Sequence, residues 1–410
     1  MPAGVLFVHN NFPAQFRDLA TVLQARGVPC AAIGGPHAPG IRDMTMARYG
    51  LSRGTTPDIL PLVVRAEADL IRAAGAYRMA KALKAQGFDP AVIVAHPGWG
   101  ETIFLEEVWP SARQVMFAEF FYRGRGLDMD FDPEFGDVTE MSVLTGKAKN
   151  LGMALALTDA DAIVAPTDFQ ASVFPAIFRP RMRVIHEGVD VEAIRPRPAT
   201  PFALPDGKVI VPGAPVITHI NNRMDTLRGL HIFARALPRL MAEVPDVQVL
   251  VIGEDSSRPY GGSAPDGRSW RDVSFGGLEL DPTRVHFLGK VPHARMLAAL
   301  QISTAHVYYS YPFVLSWSLV EAMASGCYIV ASDTPPLHDA IEDGVNGRLL
   351  PFFDVGALSE TLIEACRAPD AAAPLRAAAR ETAVARFASR DGRAAWLALL
   401  AEQGLEIPAA

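Results

Sequence analysis

Strand-like runs and helix-spaced runs alternate along most of this chain, and that alternation restricts the fold more than any other feature. Val5 to His9 reads as a strand, Gln15 to Arg26 as a helix stopped by Gly27, and Val28 to Ile33 as a strand closing on Gly34-Gly35-Pro36. A long helical pattern from Val63 to Gln86 leads through Gly87 into the strand Val92 to Ala95, and residues 160 to 165 form another strand before Pro166-Thr167. The rhythm breaks between 195 and 215, where Pro196, Pro198, Pro201, Pro205, Pro212 and Pro215 crowd together. Proline fixes φ and lacks a backbone donor, so this stretch is expected to be a linker outside either core. A second series then begins with strand Val216 to Ile220, helix Gly229 to Val244 and strand Val247 to Ile252. It continues through strand Val285 to Gly289, helix 294 to 301, strand Ala305 to Tyr308, helix Glu321 to Ser325 and strand Tyr328 to Ala331, before two Ala-rich helices. Such alternation specifies mostly parallel sheets covered on both faces. Two α/β units joined by a Pro-rich hinge are expected to leave a cleft between them, with ligands beyond the carboxyl ends of the strands. Residues 255 to 282, with Tyr260, Gly261-Gly262, Gly267, Trp270 and Gly276-Gly277, break the second series; a loop of that length is either a lid or disorder.

Composition narrows the function. With 410 residues, half of them apolar and a fifth charged, the chain holds material for two cores. A formal charge of −7 without a basic stripe argues against nucleic acid as the main partner. Cys30, Cys327 and Cys366 lie far apart, lack metal-ligand spacing and read as reduced thiols in the cytoplasm. The chain enters Val5-Leu6-Phe7-Val8 almost at once, so neither a signal peptide nor a spanning helix is expected, while peripheral membrane contact stays compatible.

The segment from Tyr311 to Asp333 carries the strongest chemical signal: a strand, a tight turn and a helix start, then a small-residue turn and another strand. Open N–H groups at the helix start, near Leu315, Ser316 and Trp317, would form an anion site. Glu321 follows one turn in, where it can reach a ribose hydroxyl pair. Ser318 and Glu321 also have the three-residue spacing of a capping box, which is the alternative reading.

Several segments resemble family 4 of the retaining glycosyltransferases, whose C-domain signature has two glutamates eight positions apart, then Ala-Met-Ala, a Gly and a β-branched strand. Glu321-Ala-Met-Ala-Ser-Gly326 with Ile329-Val330-Ala331-Ser332-Asp333 matches the second half of that signature. Arg183-Val-Ile-His-Glu-Gly-Val-Asp190 resembles the family's interdomain junction, and Arg284-Val-His-Phe-Leu-Gly289 its strand end beside the nucleotide base. Tyr311-Pro-Phe-Val-Leu-Ser-Trp-Ser318 and His96-Pro-Gly-Trp-Gly-Glu101 look like one bacterial subgroup.

The resemblance implies the GT-B fold, two Rossmann-like doubly wound domains facing each other across a cleft. Residues 1–192, rejoined by a helix at about 388–410, would form the acceptor side, and 193–387 would bind the nucleotide sugar. It implies a diphosphate clamp made of Arg223 and Arg228, five apart after the first C-domain strand. Arginine suits that task because its charge is permanent and its fork can hold two phosphate oxygens. Gly289 and Lys290 would lie beside the base, with Leu315, Ser316, Trp317 and Glu321 around phosphates and ribose. Phe313 stands where the first signature glutamate belongs, so the donor sugar is read differently or has fewer hydroxyls in that corner.

In the first half, Asn10, Asn11 and Phe12 follow the first strand, where many relatives have a Gly-rich loop; Asn11 is assigned to the donor, Asn10 and Phe12 to the acceptor side. His96 ends the strand Val92 to Ala95, where the family's histidine contacts the donor sugar; otherwise it fixes the Pro97-Gly98 turn. Glu101 and Glu119 are further acceptor-side candidates. Two motifs are set aside. Asp128-Met-Asp130-Phe-Asp132 mimics a metal motif but reads as a solvated loop. The aromatic and basic run Phe117 to Arg125 could touch membrane or a lipid-linked acceptor, yet fits a buried strand leading into a basic loop.

The expected function is transfer of a sugar from a UDP- or GDP-linked donor to a glycan, glycoconjugate or lipid-linked acceptor, with retention and with neither metal nor cofactor, in bacterial polysaccharide or glycoconjugate synthesis. The expected location is the cytoplasm or the periphery of the inner membrane. An epimerase or hydrolase on the same fold, and a non-catalytic nucleotide-sugar-binding module, are the alternatives.

Overall fold

A computed structural model describes residues 4–135, 138–256 and 260–409. The chain divides into two units, Met1–Glu187 with Ser389–Ala410, and Gly188–Ala388.

In the first unit, β1 (Gly4–Val8) is buried along its whole length, as an unbroken apolar run requires of a central parallel strand. It pairs in parallel with β2 (Cys30–Gly34), which carries β3 (Thr45–Arg48) on its other side. On its opposite edge β1 pairs with β4 (Pro90–Ala95), followed outward by β5 (Arg113–Phe117), β6 (Ala162–Ala165) and β7 (Met182–Val184). The order β3-β2-β1-β4-β5-β6-β7 reverses direction between β1 and β4, which is where sheets of this class open a ligand crevice. Helix Val64–Ala85 fills the long helical pattern that precedes β4. The last helix, Ser389–Glu402, belongs to this unit because Trp396 packs edge to face on Phe16 (6.4 Å) and tilted on Phe117 (6.2 Å).

The second unit repeats the design. Its sheet is β10 (Val216–Arg223), β11 (Gln248–Glu254), β12 (Val285–Gly289), β13 (Ala305–Tyr308), β14 (Ile329–Ser332) and β15 (Arg348–Leu350), preceded by the antiparallel pair β8 (Phe202–Ala203) and β9 (Val209–Ile210). The order β12-β11-β10-β13-β14-β15, parallel throughout, reverses between β10 and β13.

The Pro-rich stretch is not the bare linker expected. Phe202, Leu204 and Ile210 are buried in the same core as Val216 and Ile220, so proline sets the turns while the apolar residues between the prolines pack inward. Residues 255 to 282 are structured where described. Trp270 opens the helix Trp270–Phe275, is 4% exposed and donates through Nε1 to the Gly262 carbonyl at 2.8 Å. Residues 257–259 of that segment lie outside the described residues.

Candidate active site

At the carboxyl end of β10 the chain runs through Asp225 and one tight turn, Thr226–Arg228, into the helix Leu230–Glu243. Gly229 permits this: its φ is +65°, and a Cβ there would lie 2.5 Å from the Cβ of Tyr309. The turn aims Arg228 at the end of β13. Its Nη1 donates to the Tyr308 hydroxyl (2.8 Å) and the Ser310 hydroxyl (2.7 Å), and its Nη2 to the Val314 carbonyl (2.9 Å). The Ser316 N–H donates to the same Tyr308 hydroxyl at 3.0 Å. Arg228 and the helix start at Ser316 therefore meet on one phenol, at the switch point of this sheet.

The helix start differs from the capping box considered for Ser318 and Glu321. Ser316, not Ser318, caps the helix Trp317–Ala324: its hydroxyl accepts the Ser318 N–H at 3.2 Å, and its carbonyl accepts the Leu319 N–H at 3.2 Å. The Ser316, Ser318 and Leu319 amides thus have partners. The Leu315 side chain, at 9% exposure, belongs to the same core as Leu319 and Ile220. Trp317 is 42% exposed, and the Phe313 ring lies 6.0 Å from the Arg228 guanidinium, an apolar wall against the charge.

Glu321 takes no part in a capping box. Its Oε1 lies 2.6 Å from His293 Nε2, at the start of the helix His293–Ile302. Burial pushes the Glu321 carboxyl above its usual range, and the bond from His293 pulls against that. Arg223 ends β10 with its guanidinium 5.1 Å from the centre of the Tyr260 ring. The Tyr260 hydroxyl accepts from Asn222 Nδ2 at 2.8 Å, and its N–H donates to Asp225 Oδ2 at 3.0 Å. Tyr260 is thus strapped to the end of β10, which carries Arg223, and to Asp225, which precedes the turn that carries Arg228. Gly289 ends β12, the outermost strand, and Lys290 beyond it is exposed.

The first unit gathers polar side chains at its own switch point. His96, after β4, accepts the Gly98 N–H through Nδ1 at 3.0 Å, so its proton sits on Nε2, which donates to Glu119 Oε2 at 3.0 Å. The ring also stacks on Trp99 at 4.4 Å. His96 therefore fixes the Pro97-Gly98 turn, and its Nε2 is turned to the Glu119 carboxylate. Glu119 also receives Gln15 Nε2 at 2.9 Å. Burial raises its carboxyl, but the bonds from His96 and Gln15 outweigh this and hold it below the usual range. His9, after β1, accepts the Asn11 N–H at 2.9 Å and is driven down to about 3 by burial, so it stays neutral.

Glu101 is sealed at 0% exposure and accepts from Tyr49 (2.6 Å) and Asn10 (3.1 Å). It is structural, as its burial leaves no path to an acceptor. Phe12 is corrected likewise: it is 0% exposed and packs on Phe7 at 5.7 Å. Asn11 is exposed. Replacing Gly98 with Ala would place a Cβ 2.5 Å from His96 Cε1. The expected outcome is a displaced ring and an activity loss on the order of 10- to 100-fold, with a small shift in Tm. Activity assays beside a melting curve check it.

Two family descriptions match the two halves. Residues 26–194 match the glycosyl transferase family 4 group, and residues 214–367 match the glycosyl transferases group 1. Each half is thus similar to a glycosyltransferase domain. The chain is 28% identical over 186 residues to a phosphatidyl-myo-inositol mannosyltransferase of Mycolicibacterium smegmatis, covering 44% of this chain and 41% of that protein. It is 30% identical over 219 residues to a D-inositol 3-phosphate glycosyltransferase of Mycobacterium marinum, covering 50% of this chain and 42% of that protein. It thus spans less than half the length of these relatives.

Among solved structures, sucrose-phosphate synthase from Thermosynechococcus elongatus superposes with a TM-score of 0.72 at 16% identity over 98% of both chains. Anabaena HepE in complex with UDP-glucose gives 0.64 at 15% identity, over 97% of this chain and 99% of that one. The fold is GT-B, two doubly wound α/β domains.

Residue type alone does not point to Tyr308, Ser310, His293, Gln15 or Tyr49. The first two stand at and just beyond the end of β13; the others lie far in sequence from the groups they hold. Among the described residues, no group of His, Cys, Asp or Glu side chains could hold a metal ion. Asp130 accepts the Gly126 N–H (2.7 Å) and Asp132, 2% exposed, the Glu134 N–H (2.8 Å), so this is a folded turn, not the solvated loop expected. Phe117 and Phe120 are buried, and Phe121 packs on Phe174 at 5.6 Å, so the first part of the aromatic run belongs to the core. Among the described residues, no helix is long and apolar enough to cross a membrane.

Proposed function

We propose that this chain transfers a sugar from a UDP- or GDP-linked donor to a hydroxyl of a glycan, glycoconjugate or lipid-linked acceptor, with retained configuration and without a metal. The observation that carries the proposal is Arg228 held on Tyr308, Ser310 and Val314 at the switch point of the second sheet. Among the described residues three of its N–H groups serve that turn, and a guanidinium has five, which leaves two for phosphate oxygens. A fixed charge of this kind stabilises the leaving diphosphate without reorganising during the reaction. Arg223 adds a second charge. In the step, the bond from the sugar's anomeric carbon to the diphosphate oxygen breaks and the acceptor oxygen bonds on the same face. The acceptor proton passes to the departing phosphate. A neighbour solved with UDP-glucose supports the donor class, and relatives named as glycosyltransferases support sugar transfer. A lipid-linked acceptor would place the protein at the inner membrane's cytoplasmic face.

Product analysis tests this. With UDP- and GDP-sugars, glycosylated product is expected only when an acceptor preparation is added, and EDTA is expected to leave the rate unchanged. Nucleotide release at the same rate without acceptor would identify a hydrolase, a new sugar epimer an epimerase, and binding without turnover a binding module. Dependence on Mg²⁺ or Mn²⁺ would remove the metal-free part.

A further inference from the structure

We infer that His293 is a positioning residue for nucleotide recognition: it fixes Glu321 so that one carboxylate oxygen is presented to the ribose hydroxyls. The inference rests on the donor reading above and names a residue outside the signature that led to it. His293 opens its helix directly after β12, and Glu321 lies on the second turn of the helix that follows β13. Their contact is short, 2.6 Å from Nε2 to Oε1. The two side chains differ in setting: Glu321 is 14% exposed and His293 58%.

Among the described residues, Glu321 Oε2 has no hydrogen-bond partner, and it is not sealed from solvent. The carboxylate is therefore half occupied and half open. A free glutamate side chain must be ordered when a ligand binds, at a cost in conformational entropy. His293 orders it beforehand, and preorganisation of this kind raises affinity without a new ligand contact. Because His293 is mostly in solvent, deleting its ring opens no cavity in the core. Its effect should appear only in ligands whose hydroxyls use Glu321.

Calorimetric titration of the full chain with UDP, GDP and their 2′-deoxy analogues separates the possibilities. His293→Ala is expected to weaken the ribonucleotide that binds about 3- to 10-fold and to change the deoxy analogue less than twofold. His293→Gln, which keeps a donor, is expected to restore at least half of the lost preference. Glu321→Ala is expected to abolish the preference and to make His293→Ala silent. Equal losses for ribo and deoxy ligands, or no loss, would overturn the inference while leaving the donor reading intact. If the wild-type protein bound neither UDP nor GDP, the donor reading would fall and take this inference with it.

Discussion

Replacing Arg228 with Ala is expected to lower kcat/KM by on the order of 10²- to 10³-fold, the usual effect of deleting a preorganised group that meets leaving-group charge. The same change also touches the fold. The Val314 carbonyl, the Tyr308 hydroxyl and the Ser310 hydroxyl each lose a donor, although Ser310 still donates to the Tyr311 carbonyl at 2.8 Å. A stability loss of about 1–3 kcal/mol is expected from unsatisfied groups of this kind. Arg228→Lys separates the two effects. It keeps the charge but cannot reach three acceptors with a planar fork, so it should recover stability poorly and activity in part, to within about tenfold of the wild type. Steady-state kinetics beside denaturant unfolding checks this, and near-full activity in Arg228→Ala would remove the residue from the mechanism.

Mild acid is expected to destabilise the protein through histidines that fold neutral. His219 and His306 in the second unit are 1% and 0% exposed, and burial drives them down to about 4 and about 3. His9 and His186 in the first unit are lowered to about 3 and about 4 for the same reason. The sign follows from linkage. Between pH 6.5 and these lowered values the unfolded chain binds protons that the native state refuses, so stability is complete above about pH 6.5 and falls as pH falls.

Each such histidine contributes a loss of roughly 2 kcal/mol between pH 7 and pH 5, at about 1.4 kcal/mol per pH unit below 6.5. Asp128 works the other way, because burial raises it to about 6 and its protonation stabilises the native state below that pH; it offsets part of one histidine. The net loss is large beside a typical total of 5–15 kcal/mol. His306→Gln should reduce the difference between pH 7 and pH 5 by about 2 kcal/mol. Comparing the two pH values within each variant cancels any uniform loss from the substitution. An unchanged pH dependence would show that His306 is not neutral in the folded state.

Most of the architecture was legible because its cause is local. Apolar runs bounded by glycine or proline specify buried parallel strands, and the pattern of residues 63 to 86 became the helix Val64–Ala85 with almost the same ends. The Pro-rich stretch was misread because proline reports backbone geometry and not burial; Phe202 and Ile210 between the prolines decide where that stretch goes. Phe12 was misread for a related reason. Its place beyond a strand end suggested a ligand contact, yet the turn folds it back onto Phe7.

The site was legible in residue type and less so in partnership. Arg228 was identified by spacing, but its three acceptors lie 80 to 86 residues away. Local spacing also suggested Ser318 as the cap; the choice fell to Ser316 because the Tyr308 hydroxyl, eight residues back, orients the Ser316 N–H. His293 could not be found from spacing, since its partner stands 28 residues further on.

The central claim is that the second unit holds a nucleoside diphosphate where β10 and β13 part. A crystal structure of the protein with UDP or GDP tests it directly. Diphosphate oxygens are expected within hydrogen-bonding distance of Arg228, with the ribose against Glu321. A diphosphate bound elsewhere, with Arg228 touching only Tyr308, Ser310 and Val314, would contradict it.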